Sequence, residues 1–154
     1  SHGAMKSLLF ISISGLTEVS DGRSDYLSLR GAGLRNKVAG AAFTVGSLSM
    51  IGMPLLTGFI SKYLFAAAAT TAGSKMITAW VVLAISTVLN TMYFMRTVLT
   101  LCRPVPEETH KAYTVEKSGI ETAAIIGMIL LNIGLGVASQ PVIKVIEAGL
   151  AMFG

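Results

Sequence analysis

The sequence has 154 residues, of which 53% are hydrophobic and only 13% are charged, and its mean hydropathy is positive. A surface that faces water does not tolerate this composition, so most classes of soluble protein are excluded and a membrane protein is expected. The formal charge of +4 is scattered among loops, and no basic run alternates with aromatic residues, which argues against nucleic-acid binding.

Five apolar runs follow one another along the chain. Each is interpreted as a membrane span, because crossing the hydrocarbon takes about 20 mostly apolar residues. No stretch shows the strand alternation of a membrane barrel, so the predicted fold is an all-α polytopic bundle of about five spans, in one domain covering 1–154. The predicted spans are residues 2–16, 38–53, 54–72, 76–101 and 120–138.

The spans are rich in small residues, which lets helix backbones approach closely in lipid. Asn90 and Asn132 lie inside spans, and we expect each to make an interhelical hydrogen bond. The basic residues of the loops are assigned to two sides of the membrane, so the positive-inside rule does not decide the orientation. One group is Arg23, Arg30, Arg35 and Lys37, and the other is Arg103, Lys111 and Lys117.

No cofactor and no metal site are expected. The single cysteine, Cys102, excludes an internal disulfide and an iron–sulfur or four-cysteine zinc site built from this chain alone. The only other candidate ligands that stand together are Glu107, Glu108 and His110. They lie in a polar, proline-bearing loop, which favours a solvated loop over a metal site.

Two lysines, Lys6 and Lys62, lie inside predicted spans. A charge at the bilayer centre costs at least about 2.5 to 3.5 kcal/mol, so such residues usually face the protein interior or a water-filled path. The alternative is that the side chain snorkels to the interface. For Lys62 this alternative is weak, because apolar or small residues flank it for about ten positions on its C-terminal side. For Lys6 it stays open, because the sequence does not determine its depth.

The stretch MPLLTGFISKYLF predicts a broken helix beside Lys62. Pro54 removes a backbone donor and Gly58 lowers helix propensity. Broken helices are tolerated in membranes where they line a cavity or an ion path. A lysine at such a break can gain and lose a proton, because partial desolvation favours its neutral form. We therefore expect Lys62 to be shielded from lipid, close to Gly58, and turned toward the helix that carries Lys6.

Two segments resemble one family. HGAMKSLLF resembles the H-x-x-x-K-x-x-L-F segment, and GMPLLTGFISK resembles the G-x-P-x-x-x-G-F-x-x-K segment, of the antiporter-like membrane subunits of respiratory complex I. The family also includes subunits of multisubunit sodium/proton antiporters and of membrane-bound hydrogenases. The loop between the two segments is similar to the family's L-x-G-L-x-x-x-x-P loop, although Asn36 and Lys37 stand where a proline is common. The resemblance covers the last third of such a subunit, so the chain is expected to be a C-terminal fragment.

The resemblance implies a proton path through buried lysines and waters. Lys6 matches the central lysine of that path, His2 a polar relay one helical turn away, and Lys62 the residue at the broken helix. The family's partner glutamate and further lysine lie on earlier helices, so this chain alone is not expected to complete a path. The implied partners are other membrane subunits, lipid, and protons or sodium ions. The implied location is a bacterial inner membrane, in a translocase of the NADH:quinone oxidoreductase type without a redox centre on this chain.

Two alternatives remain open. The first run could be a signal peptide that starts at Met5 with SLLFISISGL as its core, although no A-x-A-like cleavage site follows it. The chain could also be a non-transporting scaffold or assembly subunit, whose lysines only pair with partners. The sequence does not separate proton from sodium, or complex I from antiporter or hydrogenase.

Overall fold

The computed structural model describes residues 2–70, 73–104 and 119–138, together with the single positions Pro141, Lys144 and Ala148. The loop with the candidate ligands Glu107, Glu108 and His110 lies outside the described residues. All regular elements within the described part are helical, which confirms the all-α prediction. The α-helices are α1 (His2–Glu18), α2 (Ala32–Arg35), α3 (Lys37–Ile51), α4 (Thr57–Thr70), α5 (Met76–Cys102) and α6 (Gly119–Val137), and a 3₁₀ turn at Gly73–Lys75 precedes α5.

Two helices, α5 and α6, are long and apolar enough to cross a membrane. The other long helices, α1, α3 and α4, have 17, 15 and 14 residues. At 1.5 Å per residue, α3 and α4 are only about 21 to 23 Å long, less than the roughly 30 Å of hydrocarbon. The structure therefore supports a helical membrane protein, and the count of five spans stays a prediction.

Small residues bring α1, α2 and α3 together. A methyl group on Gly46 of α3 would meet the side chain of Leu9 on α1 at 2.9 Å, and one on Gly40 would meet the backbone of Gly33 on α2 at 2.7 Å. Without a hydrophobic driving force between helices in lipid, this close van der Waals approach stabilises the bundle. The main buried cluster at these contacts comprises Leu9, Leu16, Val19, Ala32, Ala39, Phe43 and Leu101.

The side chain of Asn36 starts α3. Its Oδ1 accepts a hydrogen bond from the backbone N–H of Ala39 at 3.2 Å, and its Nδ2 donates to the carbonyl of Gly15 on α1 at 3.2 Å. Asparagine is a preferred N-cap because it satisfies one of the orphan donors of the first turn. Asn36 therefore both starts α3 and ties it to α1.

Replacing Asn36 by alanine is expected to destabilise the protein by about 1 kcal/mol or more, because both the N-cap bond and the bond to α1 are lost. The measurement is the thermal unfolding midpoint of the detergent-solubilised protein. Lys37→Ala is the matched control, because Lys37 is the exposed neighbour of Asn36. Equal midpoints for the two variants would contradict the assigned role of Asn36.

The chain between α3 and α4 is non-helical over residues 52–56. Gly52 adopts a left-handed conformation with φ of 94° and donates to the carbonyls of Leu48 and Ser49, which ends α3 in the usual way of a C-terminal glycine. Pro54 follows and cannot continue the helix. Leu55 also has a positive φ, 73°, which is strained for a residue with a side chain. The predicted break is present and begins at Gly52, before Pro54.

The end of α5 lies beside the loop between α1 and α3. The backbone N–H of Gly31 donates to the carbonyl of Thr100 at 3.2 Å, so Arg103 lies at the same end of the bundle as Arg30 and Arg35. The prediction that these arginines lie on opposite sides is wrong. It assumed one membrane crossing for residues 38–53 and another for residues 54–72, whereas the 27-residue α5 ends at the same end of the bundle where α3 begins.

Candidate functional site

Lys62 is half-buried and lies about halfway along the bundle. Its Nζ donates to the carbonyl of Ile51 at 2.6 Å and to Thr87 Oγ1 at 3.0 Å. Ile51 is 14 residues along α3 from Lys37, and Thr87 is 13 residues before Thr100 on α5. At 1.5 Å per residue, both routes put the ammonium about 20 Å from the end where Gly31 meets Thr100, which is about half the length of the 27-residue α5.

The helix break supplies the main acceptor for Lys62. The Ile51 carbonyl would bond the N–H of residue 55 in a continuous helix, and it is free because the chain leaves the helix at Gly52. Thr87 donates its own hydroxyl to the Leu83 carbonyl at 2.8 Å, so its oxygen accepts from Lys62. Among the described residues no carboxylate pairs with Lys62. Its ammonium is therefore held by neutral oxygens alone.

Lys62 differs from the prediction in two respects. It lies at the break, as expected, but its side chain is only half-buried, and its ammonium bonds α3 and α5 rather than the helix that carries Lys6. The stem of Lys62 packs over Gly52, where an added Cβ would meet the Lys62 Cδ at 2.7 Å. The absence of a side chain at Gly52 thus makes room for the lysine.

Lys6 and His2 lie on the exposed face of α1. The neighbouring Met5 is buried and reaches the first turn of α4, where its Sδ lies 3.0 Å from a Cβ built on Gly58. Lys6 therefore lies near the depth of the break, but its side chain is exposed, since successive residues of a helix are about 100° apart. The structure brings Lys6 and Lys62 to one layer of the bundle without bringing them into contact.

Gly58 packs closely rather than interrupting a helix. It lies in the first turn of α4, it is buried, and a Cβ there would overlap the carbonyl oxygen of Ser49. Its backbone N–H donates to Ser49 Oγ at 3.2 Å. The helix break is thus formed by Gly52, Pro54 and Leu55, and Gly58 allows α4 to lie directly against the end of α3.

A buried polar cluster joins α3, α4 and α6. Asn132 Oδ1 accepts hydrogen bonds from Ser49 Oγ at 3.1 Å and from Thr57 Oγ1 at 3.0 Å, and all three residues are completely buried. This confirms the predicted interhelical role of Asn132. Asn90 is half-buried, and its side chain makes no hydrogen bond within the described residues. Sequence reasoning missed Ser49 and Thr57, because serine and threonine are common in membrane helices and neither stands in a distinctive motif.

The Asn132 cluster is not optimised for stability alone. The Nδ2 of Asn132 is buried and has no hydrogen-bond partner in the described part of the chain. Leaving such a donor unsatisfied costs about 1 to 3 kcal/mol, whereas an apolar residue of similar size carries no such penalty. The unpaired Nδ2 therefore offsets part of the stability that the two hydrogen bonds to Oδ1 contribute.

The described residues form a helical membrane bundle with a lysine at mid-depth beside an interrupted helix. These features define a class of polytopic membrane protein that keeps a cationic side chain inside the membrane. The model of the family described as NADH:quinone oxidoreductase/Mrp antiporter, TM, matches residues 1–91, more than half of the chain. This chain belongs to that family. The match includes both lysines and the break between α3 and α4.

Individual relatives support the same assignment. NADH-quinone oxidoreductase subunit N 1 of Sorangium cellulosum is 30% identical over 135 residues, which cover 88% of this chain and 25% of that protein. NADH-quinone oxidoreductase subunit N of Myxococcus xanthus is 32% identical over 128 residues, which cover 81% of this chain and 24% of that protein. NADH-ubiquinone oxidoreductase chain 5 of Pelomedusa subrufa is 26% identical over 135 residues, which cover 88% of this chain and 22% of that protein. The chain spans about a quarter of the length of these relatives, and no solved structure matches it.

Proposed function

We propose that this chain takes part in proton translocation, as part of a membrane subunit of an NADH:quinone oxidoreductase-type pump in a bacterial inner membrane. Lys62, Lys6 and His2 carry the proton together with bridging waters, and other subunits supply the redox chemistry. The names of the bacterial relatives support the type of complex. The chain itself contributes proton-carrying groups and no redox centre.

The ammonium of Lys62 is the observation that carries this proposal. It lies near the middle of the bundle, and its acceptors are a free helix carbonyl and a threonine hydroxyl. A carboxylate partner would hold the lysine permanently charged, whereas neutral oxygens stabilise the charged form more weakly. Such a lysine can release its proton and bind another, as a relay requires. A scaffold lysine would instead be expected to form an ion pair with its partner.

The exposed segment at the break also supports a polar path. Met53, Pro54 and Leu55 are exposed on this chain at the depth of Lys62. Irregular backbone at this depth is tolerated only where it is covered by protein or lines a water-filled cavity, because lipid offers no hydrogen bonds. The face of α1 that carries His2 and Lys6 is exposed as well, and a charged side chain inside a membrane is costly when it faces lipid. We propose that another protein segment covers this face and extends the path across it.

Replacing Lys6 by alanine is expected to lower proton pumping at least about tenfold, because a positioned proton-transfer group typically contributes on the order of 10²-fold or more. The measurement uses the assembled complex in proteoliposomes, with NADH oxidation as the driving reaction and a pH-sensitive dye inside the vesicles. Lys37→Ala is the control, since Lys37 is an exposed lysine at the end of the bundle. Full pumping by a normally assembled Lys6→Ala complex would remove Lys6 from the path and favour the scaffold alternative.

A further inference from the structure

Asn132 is the residue through which α6 contacts both sides of the helix break. Its amide oxygen accepts from Ser49, in the last turn of α3, and from Thr57, the first residue of α4. The two hydroxyl oxygens lie 3.1 Å apart, and Ser49 Oγ also accepts from the N–H of Gly58. One amide group thus ties together two helix ends that the chain itself joins only through the irregular residues 52–56.

The cluster is also close along the chain to the groups that hold Lys62. Ser49 precedes Ile51 by two residues, and the Ile51 carbonyl accepts from Lys62 Nζ at 2.6 Å. Thr57 precedes Lys62 by five residues, little more than one turn of α4. Any shift of α4 relative to the end of α3 therefore changes the distance between the ammonium and its carbonyl acceptor.

A second contact shows that α6 braces the break over more than one turn. Gly136 is four residues after Asn132, so it lies on the same face of α6. A Cβ on Gly136 would overlap the carbonyl oxygen of Leu55, in the middle of the irregular segment. The hydrogen bonds of Asn132 and the close approach at Gly136 together restrict the segment to one position against α6.

We propose that Asn132 is a positioning residue for Lys62. Its amide oxygen fixes the end of α3 against the start of α4, and so keeps the Ile51 carbonyl within hydrogen-bond distance of the Lys62 ammonium. This carbonyl stabilises the protonated lysine more than the neutral one. Asn132 thereby sets the pH range in which Lys62 exchanges its proton. The proposal rests on the proposed proton-translocating function and adds a residue outside the matched range 1–91.

The test compares Asn132→Leu with Asn90→Leu in the reconstituted complex. Both variants replace an asparagine inside an apolar helix by a residue of similar size, but only Asn132 makes hydrogen bonds to described residues. The readout is the pH profile of NADH-driven proton pumping. For Asn132→Leu we expect the alkaline limb to move to lower pH by at least about half a unit, and for Asn90→Leu no movement.

An unchanged pH profile for Asn132→Leu would overturn the proposal. If Asn132→Leu does not assemble, Ser49→Ala and Thr57→Val replace it as the test, because each removes one hydrogen-bond donor to Asn132. A smaller shift of the pH profile in the same direction would support the proposal. A wild-type profile in both variants would overturn it. The variant Lys62→Ala distinguishes a failure of the positioning role of Asn132 from a failure of the proposed function. Lost pumping in Lys62→Ala beside an unchanged profile in Asn132→Leu would refute the positioning role alone, whereas normal pumping in Lys62→Ala would refute the function itself.

Discussion

Replacing Lys62 by alanine is expected to reduce proton pumping by the assembled complex at least about tenfold, because it removes the proposed proton-transfer group at the helix break. Lys62→Arg is expected to impair pumping to a similar degree. Arginine keeps the charge and the donors to Ile51 and Thr87, but it stays protonated at physiological pH and cannot act as a relay. The pair of variants therefore separates the need for a positive charge from the need for proton exchange.

The measurement for both variants is NADH-driven acidification of proteoliposomes, normalised to the amount of assembled complex. Lys75→Ala is the matched control, because Lys75 is an exposed lysine in the 3₁₀ turn before α5 and makes no contact with the break. Pumping at the control level in Lys62→Arg would show that only the charge matters. It would then assign Lys62 a structural role as the cap of the free Ile51 carbonyl.

Adding a single methyl group at Gly58 or Gly136 is expected to prevent assembly. The new Cβ would overlap backbone atoms, the Ser49 carbonyl oxygen for Gly58 and the Leu55 carbonyl oxygen for Gly136. Overpacking against side chains typically costs about 1 to 3 kcal/mol, and a backbone obstacle that cannot rotate away should cost more. Because α4 and α6 meet the break at these two glycines, neither helix can keep its position in the variant.

The amount of complex recovered from membranes measures this effect for Gly58→Ala and Gly136→Ala. The chain offers matched controls on α6, since a Cβ on Gly127 or Gly134 would meet no atom within 4 Å. Alanine at these positions should be neutral or slightly stabilising, because alanine has the higher helix propensity. Recovery of Gly136→Ala at the level of Gly134→Ala would show that α6 does not rest on the irregular segment as described.

Composition and motifs alone were sufficient to predict the class of protein and the interruption of the helix near Lys62. An apolar chain with few charges predicts membrane helices, and Pro54 beside Lys62 predicts an interrupted helix with a lysine in the bilayer core. The order of the two lysine motifs indicates the family, which the matched range 1–91 confirms. These predictions depend only on residue types and on their spacing along the chain, and no knowledge of helix packing is needed.

The tertiary structure alone decided which groups meet. It placed the Lys62 ammonium against Ile51 and Thr87, away from the helix of Lys6, and it connected Asn132 to both ends of the break. In a soluble helix, the apolar stripe shows which face is buried. In a membrane helix, lipid and the protein core are both apolar, so the sequence does not distinguish the face that packs from the face that meets lipid. The partners of a buried polar group in such a bundle therefore become known only when the helices are seen packed together.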